Sequence, residues 1–336
     1  MSKRAILGFI YTLQALEAQG GDLSGLEQRY GLNVHNLSPD GFIERALELR
    51  VYCDVLPSVP DPLVGLKIGQ SMSLAGYGPL IMLLMTCNNA WEAFNTGVHY
   101  QALTYLFGEL QFEAGEQESK LRLTPAPLPR ICHRFLIDRD VSGTFQLIND
   151  LQKSIGVNFN PSYVRLPYAK PEDIRPYEER YRCPVEFGSD AVEIGILSEY
   201  LATPFPASNR MAFSLYRKQC DSLLRALDSS TLSIAEEVRD YLQLFVEHYP
   251  SIQEVAATFG MAERSFRRKL SAAGLSFRSL LDEVRFDKAR QLLLHSNLSI
   301  DAIAQQLGYT EAAAFIHAFQ RWSQQTPAKY RSLHRQ

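Results

Sequence analysis

The chain has 336 residues, 46% of them hydrophobic and 21% charged, which is too long for one ordinary domain of ~150 residues and too apolar for a disordered or fibrous protein. Its longest unbroken apolar run, Leu80–Met85, is far short of the ~20 residues of a membrane helix. The net charge of −3 divides unevenly: from Ser251 onward twelve Lys/Arg face seven Asp/Glu, a local +5, whereas residues 1–250 hold 22 against 30, or −8, so a basic half suited to a polyanion is offset by an acidic one.

The basic start, Met1–Arg4, runs into Tyr11, Thr12 and Gln14 rather than a signal-peptide core. Ile6, Phe9, Ile10, Leu13 and Leu16 keep helical spacing up to Gly20-Gly21. Ser38-Pro39 supplies a cap and first-turn proline for a helix running towards Pro57, and Asn89 with Glu92 opens another that carries Trp91, Phe94, Val98 and Leu106. The period then changes to two: Leu110, Phe112, Leu121 and Leu123 flank Gly115 as a hairpin. A helix over Phe135–Ile155 precedes apolar runs at Tyr163–Leu166, Val185–Phe187 and Val192–Leu197, and Pro204 and Pro206 close an α+β unit. Phe213, Tyr216, Cys220, Leu223 and Leu227 are spaced 3, 4, 3 and 4, a seam that suits either a linker helix packed on its own domain or a homodimer. A polar break at Asp228–Thr231 marks the boundary. The organisation expected is therefore 1–205 sensor, 206–231 linker helix and 232–336 second domain.

Five cysteines (Cys53, Cys87, Cys132, Cys183, Cys220) are scattered without a Cys-x-x-Cys pair, which argues against a disulfide frame or zinc site and fits a reducing cytoplasm. No Walker loop, His-Glu-x-x-His helix or Gly-x-Ser-x-Gly elbow is present, so no catalytic residue, metal or cofactor is expected.

The strongest signal is a repeat. Gln253-Glu254-Val255-Ala256-Ala257-Thr258-Phe259-Gly260-Met261 recurs 48 residues later as Asp301-Ala302-Ile303-Ala304-Gln305-Gln306-Leu307-Gly308-Tyr309. Each copy supplies what a helix-turn-helix needs: an apolar anchor, a small residue where two helices approach, and an apolar residue and glycine at the turn. In the first copy Phe266, Leu270 and Ala273 form the inward stripe, leaving Arg264, Arg267, Arg268 and Ser271 outward. Guanidinium groups there can read guanine bidentately or clamp phosphates, although a lone basic run is usually only a solvated face. In the second copy Phe315, Phe319 and Trp322 point inward, and Ala312, Ala313, Ile316, His317 and Gln320 outward, with Arg321 and Lys329 as phosphate contacts. Thr310 is a further DNA-contact candidate at the start of this helix, where it and Glu311 could instead serve as a cap. A helix over Ser279–Leu294 joins the copies, long enough at ~1.5 Å per residue to set two recognition helices in successive major grooves of double-stranded DNA.

These residues closely resemble the DNA-binding domain of AraC/XylS-family transcription regulators: Val255-Ala256 through Gly260, Ser265-Phe266-Arg267-Arg268, Arg285, Leu292-Leu293, and Ile303-Ala304-x-x-Leu307-Gly308-Tyr309 with Phe315, Phe319, Trp322, Pro327 and Tyr330-Arg331. The resemblance implies an all-α domain with two helix-turn-helix motifs and base-contact positions at Arg264, Arg267 and Arg268, flanked by Ser265, and at Ala312, Ala313, Ile316 and His317. The second set departs from the family's usual polar residues, which implies backbone anchoring rather than readout. The first domain resembles the effector domain of a subset that includes ornithine-responsive regulators, through Asp61–Gly69, Gly76-Tyr77-Gly78-Pro79-Leu80 and Pro184-Val185-Glu186-Phe187. It is unlike the cupin-type domain of the arabinose regulator itself. The implied function is a DNA-binding regulator that answers a small-molecule effector, with RNA polymerase as a further partner and no membrane. Tyr77, Trp91, Phe94 and Tyr105 are the candidate pocket residues from composition, with Lys67 or Arg134 as a weaker choice for an acidic effector; core packing explains the aromatic row more simply. The other readings are a regulator controlled by protein contact, and a repair enzyme with a helix-turn-helix tail, for which Cys183-Pro184 or Cys132-His133 is the nearest approach to a reactive thiol.

Overall fold

The computed structural model describes residues 3–334 except 40, 73, 158–159 and 229–233. Contacts divide the chain into two units, Met1–Ser230 and Thr231–Gln336.

In the first unit β1 (Lys3–Ala5) is followed by α1 (Leu7–Ala18) and α2 (Leu26–Tyr30), then by β2 (Phe42–Glu44) and α3 (Arg45–Val55). Pairing of β2 with β1 holds Phe42–Glu44 extended, so the helix expected from Ser38-Pro39 begins only at Arg45. Three helices come next, α4 (Val64–Ser71), α5 (Pro79–Met85) and α6 (Ala90–His99), the last capped by the Asn89 side chain, which accepts from the Glu92 amide. The hairpin β3 (Gly108–Glu113) and β4 (Glu118–Pro125) leads into the long α7 (Arg130–Ile155). The sheet is completed by β5 (Val164–Leu166), β6 (Val185–Phe187) and β7 (Val192–Leu197), with α8 (Arg175–Tyr181) between β5 and β6. Strand order is β3-β4-β7-β5-β6, antiparallel except for β5 with β6. Alternation turns Leu121, Leu123, Val192, Ile194 and Ile196 to one face, where they meet Ile137, Val141 and Phe145 of α7 in a single core.

Helices α4 and α7 touch backbone to backbone. A Cβ on Gly69 would lie 2.6 Å from the Arg139 carbonyl oxygen, so only glycine permits this approach. The approach fixes a buried ionic cluster: the fully buried Arg139 guanidinium donates to Asp140 Oδ1 from Nε (2.9 Å) and Nη2 (2.6 Å), and to Tyr52 Oη from Nη1 (3.2 Å). Asp140 Oδ2 in turn accepts from the Phe107 amide at 2.6 Å. A buried charge needs such complete pairing because desolvation otherwise exceeds the Coulombic gain.

Helix α9 (Arg210–Asp228) carries this seam. Phe213, Cys220 and Leu227 are buried in the core of their own unit, Tyr216 and Leu223 pack against it, and Tyr100 Oη donates to Asp221 Oδ1 at 2.6 Å. The apolar stripe is thus covered within its own unit, as a linker helix packed on its own domain requires. Of the polar break at Asp228–Thr231, residues 229–231 lie outside the described residues.

Among the described residues the second unit is all helical: α10 (Ile234–Leu242), α11 (Ile252–Thr258), α12 (Glu263–Ala272), α13 (Phe277–His295), α14 (Ile300–Gln306), α15 (Ala312–Ser323) and α16 (Pro327–His334). Ser251 and Glu254 form a reciprocal capping box on α11, and Ser276 and Ser299 cap α13 and α14.

Candidate nucleic-acid interface and effector cavity

Each repeat folds as helix, turn, helix. Val255, Ala256, Ile303 and Ala304 are buried where α11 and α14 meet their partners, and the turn glycines Gly260 and Gly308 have φ of 64° and 76°, a region that strains any residue with a Cβ. At Gly308 a Cβ would also meet the Glu247 carbonyl oxygen at 2.5 Å. Arg285 stands beside this turn, its guanidinium 5.0 Å from the Tyr249 ring and 4.7 Å from the Tyr309 ring.

In α12, Phe266 and Leu270 are buried, while Arg264, Arg267, Arg268, Lys269 and Ser271 are exposed and Ser265 is half-buried. Ala273, assigned to the inward stripe, is exposed: it follows the last helical residue, where the backbone has left the helical path. Arg267 Nε donates to Glu263 Oε1 at 2.6 Å, and this bond holds the Glu263 carboxyl below the usual range. Arg264 and Arg268 have no ion pair among the described residues. In α15, Phe315, Ala318 and Phe319 are buried, and the exposed face is Ala313, Ala314, His317, Gln320 and Arg321. Ala312, expected to face outward, packs against the Phe315 and Phe319 core, and Ile316 is half-buried. Arg321 pairs with Asp282 of α13 at 3.0 Å, whereas Lys329 is exposed. Thr310 and Glu311 cap nothing: Glu311 is the residue before α15, but its side chain accepts no helix amide. The residue before α12, Ala262, has no side chain able to do so. Among the described residues neither outward-facing helix thus has a side-chain cap, and uncapped first amides are groups that bind phosphate oxygens.

The first unit holds a cavity of about 90 Å³ between α5, α6, α7 and the β3–β4 hairpin, several times the ~10–15 Å³ one water needs. Tyr77 and Phe94 line it. The other two candidates do not. Trp91 is 46% exposed and packs edge-on to Phe112 on the outer side of α6. Tyr105 is buried behind Tyr77, their hydroxyls hydrogen-bonded, and its carbonyl accepts from Arg139 Nη2 at 2.7 Å. Lys67 is spent on a surface pair with Asp61, and Arg134 donates to Tyr177 Oη and lies 3.6 Å from Asp138.

Residues 20–205 match the family described as the arabinose-binding domain of AraC transcription regulator, N-terminal, and residues 255–332 match a helix-turn-helix domain. The chain belongs to the AraC family of transcription regulators. Among its relatives, the ornithine utilization regulator of Pseudomonas aeruginosa is 26% identical over 271 residues, 81% of this chain and 79% of that one. The regulator VqsM of the same species is 27% identical over 280 residues, 80% of this chain and 83% of that one. The crystal structure of the P. aeruginosa regulator CdpR aligns over 96% of this chain and 98% of its own at 23% identity, with a TM-score of 0.47.

In this AraC-family regulator most of the cavity wall escaped sequence reasoning: Leu84, Gly97, Thr144 and Leu151 come from three helices, α5, α6 and α7, and share no motif. Also unforeseen, Cys53 and Cys132 meet with their sulfurs 3.3 Å apart, the hydrogen bond between them lowering the pKa of the first and raising that of the second. Burial pushes the other thiols up, Cys87 to about 12 and Cys183 and Cys220 to about 11, so these are not nucleophilic thiolates near neutrality.

Proposed function

We propose that this AraC-family protein is a sequence-specific regulator that reads bases with Arg264, Arg267 and Arg268, anchors on phosphates through both motifs, and answers a small molecule bound in the first unit. The observation that carries the DNA reading is the exposed cationic face of α12: a helix whose other face is buried offers Arg264 and Arg268 free of any partner among the described residues. The alanine-rich face of α15 offers little for base edges and suits backbone contact. Helix α13, with 19 residues, is ~28 Å long, close to the ~34 Å turn that separates successive major grooves. For the effector, the apolar cavity lined by Tyr77 and Phe94 supports the reading. Arabinose is not the ligand proposed, since the wall is mainly aliphatic and a sugar needs hydrogen bonds at each hydroxyl.

The test starts from duplexes selected by the full chain out of a random-sequence pool. Arg268→Ala should weaken binding to the selected site by roughly 5- to 150-fold and relax preference at one position. Log K should fall steeply with log salt, by about 0.9 per phosphate contact. Unchanged affinity and preference in the variant would refute the assignment of α12.

A further inference from the structure

Glycine inside a helix costs stability, so a helix-interior glycine calls for a reason. At Gly8, Gly65, Gly69 and Gly143 the reason is contact: a Cβ would collide with Tyr105, with the Phe135 carbonyl, with the Arg139 carbonyl and with Tyr105 again. Gly97, in the last turn of α6, differs. A Cβ there would meet only Leu84 Cδ2, at 3.9 Å. No neighbour requires the glycine, and the space it leaves is part of the cavity.

The chemistry of that space is one-sided. Leu80, Leu84, Phe94, Leu147, Leu151 and their neighbours line it, and among the described residues no charged side chain does. Of its polar residues, Tyr77 is bonded to Tyr105, and Thr104 Oγ1 donates to the Gln101 carbonyl at 2.6 Å and accepts from the Leu106 amide at 3.3 Å. Gln152 also has a partner within the protein. Thr144 is half-buried on the α7 side of the wall, and its hydroxyl has no hydrogen-bond partner among the described residues.

We propose that the cavity takes a neutral, largely apolar small molecule, with the space left by Gly97 filled by its hydrocarbon part and one polar group bonded to Thr144. This rests on the reading of the first unit as an effector domain and names the ligand class. A zwitterionic or cationic amino acid is excluded, because its charges would be buried without a counter-charge.

The experiment uses the full chain and the neutral fluorescent probe N-phenyl-1-naphthylamine, displaced by 1-octanol. The wild type should enhance and blue-shift the probe's emission, octanol should reverse this, and L-ornithine should not. Gly97→Leu should abolish probe binding while leaving the melting temperature equal or higher and DNA binding intact, so the loss is not unfolding. Thr144→Val, of the same shape, should retain the probe and weaken octanol competition roughly three- to tenfold. Equal probe binding by Gly97→Leu and wild type, or no binding by the wild type, overturns the proposal. In that event a rise in melting temperature with L-ornithine or L-arabinose would preserve the effector reading and refute only the ligand class; no shift with any of these compounds would refute both.

Discussion

Replacing Gly69 by alanine tests whether the α4–α7 contact governs the first unit. The new Cβ would lie 2.6 Å from the Arg139 carbonyl oxygen, 2.6 Å from Ser142 Cβ and 2.7 Å from the Gly143 amide nitrogen, where ordinary contact begins at 3.4 Å. The helices must therefore part by about 0.8 Å. Neither can yield cheaply: Ser142 Oγ donates to the Leu66 carbonyl of α4 at 2.8 Å, and Arg139 is fixed by Asp140 and Tyr52. Overpacking of this kind costs ~1–3 kcal/mol. The clash involves backbone and a Cβ rather than a flexible side-chain end, so the upper part of that range applies, offset by ~1 kcal/mol of improved helix propensity. A net loss of ~2 kcal/mol lowers the midpoint of a unit this size by ~4–8 °C. Gly97→Ala is the control, since it gains the same propensity without a clash and should raise the midpoint by ~2–4 °C. Thermal unfolding of the full chain followed by circular dichroism reads both. A Gly69→Ala midpoint at or above wild type would refute the reasoning.

Asp138 should make the first unit lose stability as pH rises from about 4 to 6. Burial pushes its carboxyl up to about 6, against the pull of Tyr168, Tyr177 and Arg134, so in that window the folded state holds a proton the unfolded chain has released. Denaturant midpoints across pH check this: Asp138→Asn should flatten that limb, and an unchanged slope would contradict the assignment. Glu263→Gln should raise affinity for selected DNA about twofold, because the pair that restrains Arg267 is exposed and weakened by solvent screening; a quantitative gel shift showing weaker binding would count against base contact by Arg267. Ser251→Ala removes the cap of α11 and should cost ~1 kcal/mol in the second unit; urea denaturation of the full chain, followed by circular dichroism, measures it, and no loss would mean that water serves those amides equally well.

What the sequence disclosed and what it withheld divide along the range of the interactions. The helix-turn-helix pair was legible because its requirements are local: Val255-Ala256 and Phe259-Gly260 recur as Ile303-Ala304 and Leu307-Gly308, and the same short-range geometry is met twice. The face of α12 followed from helical period alone. Period failed at α9, where it identified an apolar stripe but not what covers it, and the cover proved to be residues such as Tyr100, more than a hundred positions earlier. It failed again at the helix ends, where Ala273 leaves the helix and Ala312 tilts inward, because terminal residues do not follow the interior rotation. The cavity lay furthest from reach. Aromatic composition suggested Tyr77 and Phe94, which line it, but also Trp91 and Tyr105, which do not, and most of its wall is aliphatic and comes from α5, α6, α7 and the hairpin. The one local trace is Gly97, a residue that weakens its own helix and touches almost nothing. A helical glycine without a steric reason marks open space directly, whereas the aromatic row mixes surface, cavity and core positions, as Trp91, Phe94 and Tyr105 do.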